Sequence, residues 1–405
     1  MSPTIAGLVD QRGADALVTR LRTTGSPLIE PDPGDAAAVL ATFVWQGRSG
    51  SGRVALDAAG LTDRDWFSDS LLEPVPNTDL SAVTLRVPRT WRGAYGFAVD
   101  VDGEPPAAVA GGEERRRWWL DLMARSGPDP LSRAARHDTS WGAARSEAAM
   151  PDAPRQRWWE AGRALADRGG DVVGVDEHRV VLAGVERPVW TLAPGDHTEP
   201  RATVVLFDGA TWARRMPLAP SFTALDASGE AMPFVALMVD SVDPTTRSRE
   251  LTASARFRAA ICDELLPWAA QRFELADEPS ARVAVGQSFG GLAAVDLALG
   301  APEVFGGAVG QSSSFWWPSD EGPARAREHW RRRLAEARRS ARLLLEAGLY
   351  EGDMHELTRA FVADARAVGH RVRHRELSGA HDPVQWREGA VDGVAALLGE
   401  GGWGS

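Results

Sequence analysis

The segment Gly286-Gln-Ser288-Phe-Gly290-Gly291 constrains this chain more than any other. A β-rich run, Ala281 to Val285 (ARVAV), precedes it, and a small-residue helical run (GLAAVDLAL) follows. G-x-S-x-G alone is weak evidence in a chain with 41 glycines. Set between a strand and a helix, it predicts a sharp turn that lifts a serine hydroxyl above a sheet. The glycines relieve crowding of neighbouring backbone, and Ser288 is expected in a strained conformation at the tip. The plainer alternative is an ordinary glycine turn carrying an exposed serine.

The rest of the second half agrees with such a sheet. Ala202 to Phe207 and Phe234 to Val239 are short apolar runs of the kind that form buried parallel strands. Val180 to Leu182 and Arg187 to Leu192 read as a hairpin, and Gly307 to Val309 and Ala341 to Leu345 as further strands. Phe257 to Gln271 and His355 to Val368 have helical patterns. Alternation of this kind predicts a mostly parallel sheet covered by helices on both faces.

The first half reads differently. Ala38 to Gln46, Val54 to Leu56, Ala82 to Val87 and the turn-led run Thr90 to Phe97 are β-like, with Gly and Pro between them. They predict a small all-β, immunoglobulin-like sandwich. Trp118 to Ala124 suggests a short helix. Ala143 to Pro154 is small, polar and Pro-containing, and reads as the linker. The expected domains are 1–155 and 156–405, since 405 residues exceed one ordinary core.

Composition narrows the function. The single cysteine, Cys262, excludes an internal disulfide and cysteine-based zinc sites. No basic start followed by an apolar stretch is visible, so a cytoplasmic location is expected. The apolar runs fall short of a membrane span. A net charge of −11 disfavours general nucleic-acid binding. All 45 basic residues are arginine, so every cation is a planar fork suited to anionic or aromatic ligands.

A neutral hydroxyl is a poor nucleophile and needs a base. In the α/β-hydrolase order the nucleophile is followed by an acid and then a histidine. His381 lies just after a strand, in Ser378-Gly-Ala-His381-Asp382, where a base must stand to reach the turn. Glu351 and Asp353 both qualify as the acid by position, and spacing does not separate them; either could instead serve as an N-terminal acid of the following helix. The oxyanion hole needs two backbone N–H groups. Phe289 supplies one, and the loop Asp208-Gly209-Ala210-Thr-Trp212, after an early strand, supplies the other at Gly209. Ser312 to Trp317, Arg247, Arg249 and Trp386-Arg387 lie at further strand ends, where ligands gather in open sheets.

Together these segments resemble the enterochelin (enterobactin) esterase family. The resemblance is carried by LFDGATWARRMPLAPSFTAL (206–225), VDSVDPTTRSREL (239–251), GQSFGGLAA (286–294), GQSSSFWWP (310–318), LEAGLYEGDM (345–354) and SGAHDPVQWREG (378–389). In the first half, ATFVWQG (41–47), TWRGAYGF (90–97) and DPLS (129–132) are similar to the family's N-terminal domain. The resemblance implies an α/β hydrolase that opens the ester bonds of ferric tricatecholate siderophores inside the cell. It implies Ser288 as nucleophile, His381 as base and Glu351, with Asp353 the alternative, as acid. It implies Gly209 and Phe289 at the oxyanion hole, and Arg247, Trp316 and Trp317 against the substrate; Trp212, in the Gly209 loop, and Trp386, after His381, are expected there by position. No cofactor or resident metal is implied, and a monomer or homodimer is expected. The family's lysines are absent, and 319–340 is Arg-rich and unlike the segments above.

Two other readings compete. An esterase for acetyl or feruloyl glycan esters or small thioesters would use the same turn, and would cleave generic esters but not a catecholate trilactone. A binding protein on a hydrolase fold would hold the siderophore and leave it unchanged, which Ser288 and His381 argue against.

Overall fold

The structure is a computed structural model. It describes every residue except 1, 9, 48–51, 103–112, 135, 140–142, 319–321 and 400–405. The chain divides into two compact units: Met1–Pro154 with Ser378–Val384, and Arg155–Leu377 with Gln385–Ser405.

The first unit starts with two helices, α1 (Pro3–Ala6) and α2 (Gln11–Thr24). The Asp10 carboxylate caps α2 at Gly13 N–H, 2.9 Å away. Ala14, Leu17, Val18 and Leu21 recur at helical spacing and are buried with Leu28, Val44 and Leu80. The expectations drawn from sequence had no element here. Among the described residues seven strands follow: β1 (Leu28–Pro31), β2 (Ala38–Gln46), β3 (Arg53–Ala58), β4 (Glu73–Pro74), β5 (Leu80–Pro88), β6 (Arg92–Val101) and, after α3 (Glu113–Arg125), β7 (Ser146–Ala149). They form two antiparallel sheets, ordered β1-β2-β5-β4 and β3-β6-β7. Aromatic side chains join the sheets: Phe43 of β2 meets Tyr95 of β6 edge-on at 5.0 Å, and Trp45 meets Phe97 at 5.5 Å. The 143–154 stretch is not a free linker. Ser146 to Ala149 pair with Arg92 to Tyr95, because Ser146 and Ala148 alternate inward and are buried.

In the second unit the described residues form a sheet of eight strands. After α4 (Arg157–Asp167) come β8 (Asp176–Leu182) and β9 (Val185–Leu192), the expected hairpin. Then follow β10 (Ala202–Phe207), α5 (Ala219–Ser228), β11 (Phe234–Val239), α6 (Pro244–Leu251), α7 (Ala255–Ala260), α8 (Leu266–Ala270) and β12 (Arg282–Gln287). The unit closes with α9 (Phe289–Gly300), β13 (Gly307–Gln311), α10 (Pro323–Glu336), β14 (Arg342–Gly348), α11 (Asp353–Ala367), β15 (Arg371–Leu377) and α12 (Pro383–Leu398). The strand order is β15-β14-β13-β12-β10-β11-β9-β8, and β10 to β15 run parallel. β10 and β11 are buried at every position, which explains runs that are apolar throughout except at Thr203. The chain leaves β10 toward β11 on one side and reaches β12 on the other. That makes the carboxyl ends of β10 and β12 a switch point, where open sheets leave a crevice. Among the described residues no helix is long and apolar enough to cross a membrane.

One ion pair is buried beside this sheet. Arg187 of β9 and Glu250 of α6 bond in bidentate fashion at 2.7 and 2.9 Å, and their side chains are 1% and 6% exposed. A second cluster joins α11 to β15: His355 Nε2 lies 2.6 Å from a Glu376 carboxylate oxygen, and Arg359 bonds the same carboxylate. These partners, Arg359 foremost, hold the Glu376 carboxyl down at about 2, against 4.5 for a free one. A depressed carboxylate stabilises the fold above its unfolded pKa and loses that contribution as pH falls through the folded value. Stability is therefore expected to decline between about pH 4.5 and 2. Glu376→Gln should be less stable near neutrality and flatter over that interval. Urea melts at pH 7, 4 and 2.5 check this, and parallel curves for the two proteins would refute it.

Candidate active site

β12 ends at Gln287, and Ser288 follows with φ 57° and ψ −122° before α9 begins at Phe289. This is the strained elbow expected from the motif. A Cβ on Gly286 would fall 2.1 Å from Gly290 O, so the turn closes only around glycine. Ser288 N–H donates to Gln311 O of β13 at 3.0 Å, and Ser288 O accepts from Ser314 N–H at 3.2 Å. The two serine hydroxyls lie 3.3 Å apart. Phe289 is the first residue of α9, where backbone N–H groups lack helical partners and the helix dipole favours negative charge.

On the neighbouring strand, β10 ends at Phe207, and Asp208 turns the chain with φ 56°. A Cβ on Gly209 would sit 2.5 Å from Met238 O, so this loop too requires glycine. Its shape is braced by Arg247, whose Nε and Nη2 each donate to the Asp208 carboxylate at 2.7 Å, and by the Ser241 hydroxyl, which donates at 2.7 Å. Arg247 was expected against the substrate. It remains part-exposed, but much of its hydrogen-bonding capacity goes to holding the loop. Its guanidinium also lies 5.6 Å from the Phe289 ring, and Trp316 packs on Phe289 at 5.4 Å. The three form a cation–aromatic row from α6 across the elbow.

Trp212 departs from expectation. It is 1% exposed, so it turns no face to a ligand; its indole N–H donates to Gln287 Oε1 at 3.0 Å. It anchors the Gly209 loop to the strand that carries Ser288. Trp317 packs edge-on to His329 at 5.4 Å, and its carbonyl accepts from the Trp330 indole at 2.9 Å. Phe315 stacks on Phe361 at 4.0 Å. Within the Ser312–Trp317 segment, Trp316 is thus the aromatic side chain packed beside the elbow. Arg387 is buried, bonded to Gln156 at 2.7 Å and lying over the Trp159 ring at 4.2 Å, so it packs rather than faces solvent. Arg249 is exposed and meets Glu250 at 3.3 Å.

A polar row, buried at Gln287, Gln311 and Glu346 and part-exposed at Arg375, underlies the strand ends. Gln287, Gln311, Glu346 and Arg375 are cross-strand partners on β12, β13, β14 and β15. Gln287 donates to Gln311 at 2.8 Å, Gln311 to Glu346, and Glu346 pairs with Arg375. Burial pushes the Glu346 carboxyl up, against the pull of Arg375 and the Gln311 hydrogen bond. The sequence carried one sign of this row: Gly-Gln-Ser ends both β12 and β13, in matching register.

Glu351 follows β14 and is half-buried. Its Oε1 accepts from the Ser312 hydroxyl at 2.5 Å and from Gly348 N–H at 2.9 Å. Asp353 is exposed in the first turn of α11. Trp386 donates its indole N–H to Ser312 Oγ at 2.8 Å. His381 is exposed in the segment 378–384, which groups with the N-terminal unit. Arg92 N–H donates to Ser378 O at 3.2 Å, and the Asp382 carboxylate accepts from Ala94 N–H and from Val384 N–H. Asp382 thus ties down the histidine loop through backbone bonds to β6, a role that sequence reasoning did not assign to it.

Comparison with known proteins gives this geometry a family. Residues 40–159 match the model for the N-terminal domain of enterochelin esterase, and residues 185–397 match the model for putative esterases. The chain is 34% identical over 414 residues to the iron(III) enterobactin esterase of Dickeya dadantii, covering 96% of this chain and 94% of that one. It is 30% identical to the iron(III) enterobactin esterase of Escherichia coli K12, covering 88% and 90%. Among solved structures, the ferric enterobactin esterase of Salmonella typhimurium superposes with a TM-score of 0.81 at 28% identity, covering 94% of this chain and 98% of that one. The enterobactin esterase of Shigella flexneri, crystallised in the presence of enterobactin, gives 0.79 at 28% identity, covering 92% and 95%. An α/β-hydrolase unit preceded by a β-sandwich, a strained serine elbow and relatives matched along almost their whole length lead to one conclusion: the chain belongs to the enterochelin esterase family of serine hydrolases.

Proposed function

We propose that this protein hydrolyses the trilactone ester bonds of ferric tricatecholate siderophores such as ferric enterobactin, and so releases their iron inside the cell. The observation that carries the reading is Ser288 at φ 57°, ψ −122° on the β12–α9 turn, in a chain matched nearly end to end by enterobactin esterases. Ser288 Oγ attacks an ester carbonyl while His381 takes its proton. The N–H groups of Phe289 and Gly209 receive the charge on the tetrahedral oxygen. The C–O ester bond breaks, and His381 gives the proton to the leaving alkoxide. Water then attacks the acyl enzyme, again losing a proton to His381, and Ser288 departs with its hydroxyl restored.

Glu351 is the acid that orients His381. Its half-buried carboxylate with two fixed donors supports it over exposed Asp353. Arg247 and Trp316, beside the elbow, present charge and an aromatic face suited to an anionic catecholate. Trp317 and Trp386 stand further back as packing and positioning groups. The domain limits are proposed at 1–155 and 156–405, and the protein acts as a monomer or homodimer.

Incubation with ferric enterobactin, followed by chromatography, is expected to yield linear trimer, then dimer and monomer. No products, with cleavage of a simple aryl ester, would move the function to a different ester substrate.

A further inference from the structure

We infer that Ser312 is a positioning residue that holds the triad acid, an inference that rests on reading Glu351 as that acid. β12 and β13 end in the same tripeptide, with Gly286 opposite Gly310 and Gln287 opposite Gln311. Each is followed by a serine in the left-handed region, at φ 57° for Ser288 and 46° for Ser312. A non-glycine residue stays in that region only where its surroundings over-determine it. At Ser288 the strained turn aims a nucleophile. At Ser312 it holds a second hydroxyl, buried at 2% exposure.

Hydrogen-bond chemistry fixes the direction of that hydroxyl. The Trp386 indole N–H can only donate, and it reaches Ser312 Oγ at 2.8 Å. An ionised carboxylate can only accept. The single Ser312 proton therefore points to Glu351 Oε1, 2.5 Å away. Gly348 N–H donates to the same oxygen at 2.9 Å, and Ser312 N–H donates to Glu346 O at 2.8 Å, tying the serine to β14. Two donors on one oxygen lock the carboxylate's rotamer. A triad acid must be both charged and held still to orient imidazole.

The test compares wild type, Ser312→Ala, Glu351→Gln and the double variant on ferric enterobactin and on a simple aryl ester. Ser312→Ala is expected to lower kcat about tenfold on both substrates, as for loss of a hydrogen bond to a charged group, with KM within about twofold. In the Glu351→Gln background the same change should cost less than about twofold. An unchanged kcat, full multiplication of the two losses, or a KM rise confined to the siderophore would overturn the positioning role. A full Glu351→Gln loss with no Ser312→Ala loss overturns it alone, whereas normal kcat in Glu351→Gln removes Glu351 as the acid. If Ser312→Ala does not fold, Trp386→Phe removes the indole N–H that reaches Ser312 while keeping an aromatic ring. It should then lower kcat about threefold on both substrates, and no change would overturn the role.

Discussion

Replacing Ser288 by alanine is expected to lower kcat on ferric enterobactin by at least ~10⁴-fold, the loss seen when the nucleophile of a triad is removed. The change deletes one oxygen. The backbone keeps φ 57°, the N–H bond to Gln311 stays, and only the 3.3 Å approach to Ser314 is lost. The melting temperature should therefore move by no more than roughly 2 °C. Because nucleophile and base act as a unit, Ser288→Ala/His381→Ala should be no slower than Ser288→Ala by more than a few-fold. Initial rates of linear-trimer formation decide the matter. A Ser288→Ala rate within tenfold of wild type would remove this serine from the chemistry, and strict multiplication of the two losses would remove His381 as its base.

The second large effect is on stability. Glu250→Ala strands the Arg187 guanidinium, which is 1% exposed, without its counter-charge. Breaking a buried pair on one side costs about 3–5 kcal/mol, which for a unit of this size lowers Tm by roughly 10 °C. Desolvation, not the missing contact, is the cause. Arg187→Met/Glu250→Leu should therefore recover most of the loss, since no charge is left in the apolar surroundings of Phe257 and β9. Calorimetry of the two variants separates the cases. A double variant as unstable as Glu250→Ala would mean that the pair contributes through its geometry, including the Arg187 bonds to the carbonyls of Asp240 and Leu182.

Features written in contiguous residues were legible in the sequence. The apolar runs of β10 and β11, the hairpin of β8 and β9, and the glycines around Ser288 each follow from local rules of burial, periodicity and crowding. Four of the sandwich strands, β2, β3, β5 and β6, were legible as well, but the short β1 and β4 went unread, β7 hid in a polar, Pro-containing stretch, and α2 went unread despite its regular apolar spacing. Candidate nucleophile, base and acid came from the order of residue types along the chain.

What only the tertiary structure decided depends on groups far apart in sequence. Trp212 became a loop anchor because Gln287, 75 residues away, offers its carbonyl inside the protein. Arg247 became a brace because Asp208 turns its carboxylate toward α6. The Gln287–Gln311–Glu346–Arg375 row exists because four parallel strands share one register, which no strand encodes alone. Glu351 sits half-buried against the Ser312 hydroxyl while Asp353 is exposed, a difference that spacing does not contain and that supports the proposal of Glu351 as the acid. The sequence by itself thus determined the strands, the elbow and the residue types available for chemistry, because those rest on local sterics and hydrophobic period. The partners of each polar side chain were decided by the fold, because a buried donor or acceptor must be satisfied by whatever group packing brings within about 3 Å.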